Sequence, residues 1–251
     1  MWDVEPMIKP VPTETPVISE SPVNGWESLA PGLERRILQP DVESISSQLI
    51  VVRIDPSQFR FRAHYRSGQP LRTSEWAELL PDAAVIVNAN FFDPENRILG
   101  LLVSDGVVYG SSYTDRGGTF LVQGGVARVR SNLREPYQGE ALEQAVQAFP
   151  MLVLDGLAAF QTDRQEFPSR RTAIAQDDQG RILLMATPFF GLTLQSLSSY
   201  LADAGLGILT ALNLDGGGST LMVLGTGAER EVSVASFDAV PAVLAVYHDM
   251  P

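Results

Sequence analysis

The 251 residues contain no cysteine and only two histidines, His64 and His248. Without cysteine there is no disulfide framework, no thiol nucleophile and no Cys-ligated zinc site, although the absence does not by itself fix a compartment. Two histidines are too few for a histidine-rich metal centre. Neither sits in a recognisable motif, so both read as surface or packing residues. Positive charge is also scarce: 18 Lys and Arg stand against 30 Asp and Glu, a net charge of −12. A nucleic acid or an anionic membrane surface demands a basic footprint, so neither is expected as a partner, and an anionic substrate must be held by local groups. No apolar run resembles a signal-peptide core or a membrane span.

What is present divides into two parts. From Met1 to Pro22, five prolines (Pro6, Pro10, Pro12, Pro16 and Pro22) lie among Thr, Ser and Glu with hardly any apolar clustering. Such a composition favours extended, solvated chain, so residues 1–25 read as a flexible linker or stalk and 26–251 as one domain. Stalks of this kind commonly follow a removed signal or lipid anchor. An extracytoplasmic place is therefore expected: periplasmic, envelope-anchored or secreted.

In the domain, short apolar arms alternate with turn residues. LIVVRI reads as a strand and FRFRAHY as a half-exposed one; LLVSDGVVYG, TFLVQGGVARV, MLVLDGLAAF and TAIAQDDQGRILLMA read as hairpins. Asp-Gly and Gly-Gly supply the positive φ angles that tight turns require. Three helices are expected: Thr73 to Leu80, Glu140 to Phe149 and Leu194 to Ala204. The last has Thr193 as cap, a stripe of Leu194, Leu197 and Leu201, and Gly205 as stop. The fold class predicted is α+β, with antiparallel strands and about three helices. A helix–strand unit also recurs: RTSEWAELL leads into AAVIVNANFFD as TLQSLSSYLADAG leads into LGILTALNLDGGG. This is an internal pseudo-repeat or a coincidence of two ordinary units. If the repeat is real, both polar strand exits reach one mouth.

The stretch ALNLDGGGST, Ala211 to Thr220, carries the chemistry. Three glycines after a buried strand forfeit packing and cost backbone entropy. They permit close approach to the main chain, and the N–H groups of Gly216, Gly217 and Gly218 can form an anion-binding nest. The Asp215 carboxylate and the Ser219 and Thr220 hydroxyls border it. The plainer reading is a tight turn that reverses a strand. The segment fits neither a dinucleotide fingerprint, nor a P-loop, nor a nucleophile elbow.

Other candidates lie apart in sequence. Asn88 and Asn90 share one face of a strand and either bind hydroxyls or make turns. Phe91 and Phe92 offer a sugar-stacking platform or core packing. Arg170 and Arg171 are adjacent cations suited to phosphate or to a solvated surface. Asp215, with Asp93 as second carboxylate, supplies an acid, base or nucleophile. No cofactor is required, but Asp93, Asn213 and Asp215 are an oxygen set that would suit Ca²⁺.

Together VNANFFD, SRRTAIAQDDQGRILLMAT, GLTLQSLSSYLADAGLGILTALNLDGGGST and VPAVLAVY resemble the phosphodiester glycosidase domain family. The resemblance spans roughly Trp26 to Tyr247. It implies hydrolysis of a sugar-1-phosphodiester, such as one of N-acetylglucosamine, in an envelope or extracellular glycan. The matching positions are Asn88, Phe92, Arg171, Thr172, Asn213, Asp215, Gly216, Gly217, Gly218 and Ser219. Three departures stand out: Ala175 where the family has Gly, Asp238 where a basic residue is frequent, and no histidine in the motifs. The rival expectations are a non-catalytic glycan-binding module, Ca²⁺-dependent through the set above, and an envelope scaffold. Composition is silent on the oligomeric state.

Overall fold

The computed structural model describes residues 25–226 and 229–249. Except for Gly25, the segment read as a stalk lies outside the described residues. Three antiparallel sheets build the domain. The first contains β1 (Glu27–Ala30), β2 (Leu33–Leu38), β3 (Leu49–Ile54), β11 (Met151–Leu154), β12 (Leu157–Ala158), β13 (Thr172–Asp177), β14 (Ile182–Ala186) and β15 (Ile208–Asn213), in the order β1-β2-β3-β14-β13-β15-β11-β12. The second contains β4 (Phe59–Tyr65), β5 (Val85–Asn88), β16 (Met222–Thr226), β17 (Glu229–Val234) and β18 (Ala242–His248), ordered β17-β16-β5-β18-β4. The third contains β6 (Leu101–Ser104), β7 (Val107–Gly110), β8 (Gly118–Gln123), β9 (Val126–Ser131) and β10 (Gln144–Ala148), ordered β7-β6-β10-β8-β9.

One core unites them: Val52 and Ile54 from the first sheet meet Phe61, Val87 and Leu244 from the second and Leu102, Phe120 and Val146 from the third. Two helices cover outer faces. α1 (Thr73–Leu79) buries Trp76 and Ala77 against Ile86, Val243 and Ala245, and α2 (Leu194–Asp203) buries Leu197 and Leu201 against Leu152, Ala173 and Leu183. Strands such as β5 and β14 are thus packed on both sides, which is why they read as continuous apolar runs. The alternation read in FRFRAHY is real: Phe59, Phe61 and Ala63 are buried while Arg60 and Arg62 are exposed.

The predicted hairpins form. Asp105–Gly106, Gly124–Gly125 and Asp155–Gly156 all take positive φ, joining β6 to β7, β8 to β9 and β11 to β12. In α2, Thr193 Oγ1 accepts from Ser196 N at 3.0 Å, and Gly205 follows with φ 66°.

The fold class is corrected. Among the described residues the domain is mostly β with two α-helices, because Glu140–Phe149 is a loop followed by β10. Its Leu, Gln and Ala are good helix formers, but β10 pairs with β6 on one side and β8 on the other. Pairing satisfies its main chain, and its side chains serve two cores: Ala145 joins Leu101 and Leu121, and Val146 joins Phe120. Tertiary pairing outweighs a local preference worth tenths of a kcal/mol per residue, as a rough scale.

Candidate active site

β15 ends at Asn213, Leu214 is buried in the core, and Asp215 opens the glycine turn. Three segments clamp that turn. From the exit of β5, Asn88 Nδ2 donates to Asp215 O at 2.6 Å, and Ala89 O accepts from Asp215 N at 3.1 Å. From the start of β13, Arg170 O accepts from Gly217 N at 2.8 Å and Thr172 O from Leu214 N at 2.9 Å. From the loop before β18, Phe237 N and Asp238 N both donate to Gly218 O, at 2.7 and 3.1 Å. The strand exits at Asn88 and Asp215 therefore meet, although β5 and β15 lie in different sheets.

The glycines have separate reasons. Gly217 takes φ 63°, and a Cβ on Gly218 would overlap the Asp238 carboxylate. The nest expected from three amides is smaller in the structure. Gly216 N donates to Asp215 Oδ1 at 2.8 Å and Gly217 N to Arg170 O, leaving Gly218 N without a protein acceptor among the described residues.

Asp215 is half-buried, and its carboxyl is pushed up to about 6. Burial is the largest cause; the Ser219 hydroxyl and the Gly216 N–H oppose it, and the negative charge of Asp238 adds to it. Asp238, on an exposed loop, is the acidic neighbour that the sequence reading set aside as a departure. The expected partner, Asp93, is committed elsewhere. Its Oδ1 accepts from Glu95 N at 3.0 Å and Arg97 N at 2.9 Å, and its Oδ2 from Arg97 Nε at 2.7 Å, closing its own loop. Nor does any contact bring Asp93 to Asn213 and Asp215 as an oxygen set. Among the described residues no three His, Cys, Asp or Glu gather in a group that could hold a metal ion.

Asn88 is a structural hub as well as a neighbour of Asp215. Its Oδ1 accepts from Thr172 Oγ1 at 2.6 Å and Leu221 N at 3.1 Å. Asn90 Nδ2 bridges Leu101 O (2.9 Å) and Gln147 O (3.0 Å), and Asn213 Nδ2 donates to Phe149 O (2.9 Å). The Oδ1 atoms of Asn90 and Asn213, and Thr220 Oγ1, are buried with no partner among the described residues. Ser219 is buried beside Asp215. Phe91 packs on Phe149 with centroids 4.7 Å apart, and Phe92 packs partly buried against the core under α1.

The two arginines separate. Arg170 is 1% exposed; its Nη2 donates to Thr220 O and Ala235 O at 2.8 and 2.7 Å, and its guanidinium lies 4.4 Å over the Phe237 ring. Arg171 is half-buried, with Nε on Leu192 O at 3.2 Å. Burial lowers both pKa values from the usual arginine range, and among the described residues neither makes an ion pair with a carboxylate. The histidines are distant from this chemistry: His64 Nε2 is 2.9 Å from Tyr247 Oη, and His248 packs on Phe59.

The fold is similar to several solved structures. The catalytic domain of zebrafish N-acetylglucosamine-1-phosphodiester alpha-N-acetylglucosaminidase, auto-inhibited by its pro-peptide, matches with TM-score 0.67 and 19% identity over 87% of this chain and 84% of that one. A hypothetical protein from Synechocystis matches with TM-score 0.59 and 17% identity, covering 91% of this chain and 64% of that one. A putative exported protein from Burkholderia pseudomallei matches with TM-score 0.56 and 14% identity, covering 80% and 74%. No curated protein matches the sequence. The family model for phosphodiester glycosidases matches residues 81–247, more than half of the chain and all of the clamped glycine turn. The chain belongs to the phosphodiester glycosidase family.

Proposed function

We propose that the protein hydrolyses a glycosyl phosphodiester, with Asp215 as the proton-transferring group. The observation that carries this reading is the Asp215 carboxyl, half-buried at a clamped glycine turn and raised to about 6. A group with that pKa is mostly ionised at neutral pH yet basic enough to accept a proton. The phosphate leaving group of a sugar-1-phosphodiester is weakly basic and needs little protonation, so the greater demand is for a base. Asp215 takes a proton from water, the water oxygen bonds to the sugar C1, and the C1–O bond to phosphorus breaks. Its electron pair leaves with the phosphate monoester.

Arg171 and the free N–H of Gly218 are the groups here suited to bind the phosphate oxygens. Membership of the family supports the glycosidase reading. An extracytoplasmic setting, with an envelope or extracellular glycan as substrate, is part of this reading, and a putative exported protein shares the fold. Among the described residues no helix is long and apolar enough to cross a membrane.

The test is turnover of an N-acetylglucosamine-1-phosphodiester by wild type and Asp215→Asn. Release of free sugar by the wild type, reduced about 10²- to 10⁴-fold in the variant, is the expected result for a lost proton-transfer group. Equal turnover by both would remove Asp215 from the chemistry. Binding without turnover by the wild type would favour a glycan-binding module.

A further inference from the structure

The mouth of the site contains charges that are left unpaired in opposite sense. Asp215 and Asp238 make no ion pair with any described basic group, and neither Arg170 nor Arg171 pairs with a carboxylate. The mouth thus offers the carboxylates of Asp215 and Asp238 and, next to the turn at Gly216, the half-buried Arg171.

An aromatic stack adjoins it. The Phe237 and Phe190 rings are stacked, with centroids 5.9 Å apart and planes at 17°. The Arg170 guanidinium covers Phe237 at 4.4 Å. Phe190 remains 53% exposed and Phe237 59% exposed. The stack is fixed to the site, because Phe237 N and Asp238 N share the carbonyl of Gly218. Exposed phenylalanines held in a stack at a polar mouth mark a ligand surface more than a packing accident. A carboxylate beside an aromatic face is the pairing that recognises an alkylammonium group.

We propose that this mouth is a subsite for a zwitterionic aglycone, in which the scissile phosphate carries an alkylammonium head group. The inference rests on the phosphodiester reading and adds the class of leaving group. The phosphate lies toward Arg171 and the Gly218 N–H, and the ammonium toward Asp238 and the face of Phe190. Asp238 is then a specificity residue that rewards a positive charge on the aglycone.

Phosphocholine and its uncharged-tail isostere 3,3-dimethylbutyl phosphate are the probes, titrated calorimetrically into the 251-residue protein. The expected preference for phosphocholine is about tenfold, as for a solvent-accessible ammonium contact. Asp238→Asn and Phe190→Ala should each reduce that preference toward unity. Thermal melts matching wild type would show that both variants fold; Asp238→Ser is the substitute if Asp238→Asn does not. Equal binding of the two probes by wild type, binding of neither, or a preference that survives in Asp238→Asn would overturn the proposal. Turnover of a neutral-aglycone sugar phosphodiester separates the two claims. If it proceeds without any phosphocholine preference, only the subsite is wrong. If the preference is present but no phosphodiester is hydrolysed, the hydrolase reading is wrong.

Discussion

Asn88 and Thr172 meet at 2.6 Å, side chain to side chain, and through Asn88 the start of β13 is tied to the glycine turn. One buried amide joins three elements, since its Nδ2 reaches Asp215 O while its Oδ1 also accepts from Leu221 N. Removing it leaves a buried carbonyl, a hydroxyl and an N–H without partners. Asn88→Ala should therefore cost about 2 to 4 kcal/mol, because orphaned buried groups carry their own desolvation penalty. Urea unfolding at pH 7 measures this. A variant with the wild-type midpoint would show that water or relaxation replaces the hub.

A stability signature follows from Asp215. Its folded pKa is about 6, above the ordinary aspartate value of 3.8, so the folded state holds the proton more tightly than the unfolded chain. Between those two values the unfolded state is ionised while the native state is protonated, and stability falls as pH rises. Above about 6 the penalty is constant, at most about 3 kcal/mol for a two-unit shift. Asp215→Asn should therefore be more stable than wild type at pH 7.5, and the difference should vanish below pH 4. Parallel denaturant titrations across that range test it. A variant less stable than wild type at pH 7.5 would contradict the burial of charge at this position.

The same carboxyl sets a kinetic limb. As a base, Asp215 gives activity that rises with pH through about 6. Because the charge of Asp238 adds to the upward shift, Asp238→Asn should move the limb to lower pH. Profiles of kcat/KM with a neutral-aglycone phosphodiester measure it. A limb that stays in place would separate the two carboxylates electrically.

The hairpins, both true helices and the glycine turn were legible because their signals are local: Asp155–Gly156 needs positive φ wherever it stands, and Thr193 caps whatever follows it. β10 was not, since the pairing that makes it a strand comes from β6 and β8, outside its own window. Asp93 looked like a second carboxylate because of its place after a strand, yet a bond network within four residues of it closes the loop. Asp238, Phe190 and Phe237 had no local signal for a site. Only folding brings their loops to Gly218 and to each other. The chain-adjacent Arg170 and Arg171 are alike as residues, and only the family resemblance favoured Arg171; the structure adds that Arg170 is buried and Arg171 half-buried.

Gly218 and Asp238 should behave as a coupled pair. A Cβ at Gly218 meets the end of a flexible carboxylate side chain, which can swing aside. Gly218→Ala should therefore cost little stability, within about 1 kcal/mol, while displacing Asp238. By contrast, a Cβ at Gly191 would overlap the main chain of Ser46, which has no such freedom. Gly191→Ala should be destabilised by several kcal/mol, roughly the scale of overpacking in a core. A double-mutant cycle of Gly218→Ala with Asp238→Ala should show coupling, because the second change removes the obstacle. Additive effects would mean that the carboxylate does not occupy that space in solution.

Arg171 supplies the last prediction. Its Nε bonds Leu192 O at 3.2 Å, whereas its Nη2 reaches Phe167 O only at 3.5 Å, so the outer end of the guanidinium is weakly held and open to a better acceptor. A phosphate oxygen is such an acceptor, and a charge-assisted contact of this kind is worth about 2 kcal/mol. Arg171→Ala should raise KM for a sugar phosphodiester by roughly 30-fold, the equivalent of that energy, with a smaller effect on kcat. Arg171→Lys keeps the charge but loses the planar fork, and should recover only part of the affinity. Arg170→Ala should instead lower the thermal midpoint, because Arg170 holds Thr220 O and Ala235 O from inside the fold. If the Arg171→Ala loss appears in stability rather than in KM, the phosphate role falls and Arg171 is a structural tie between Leu192 and the start of β13.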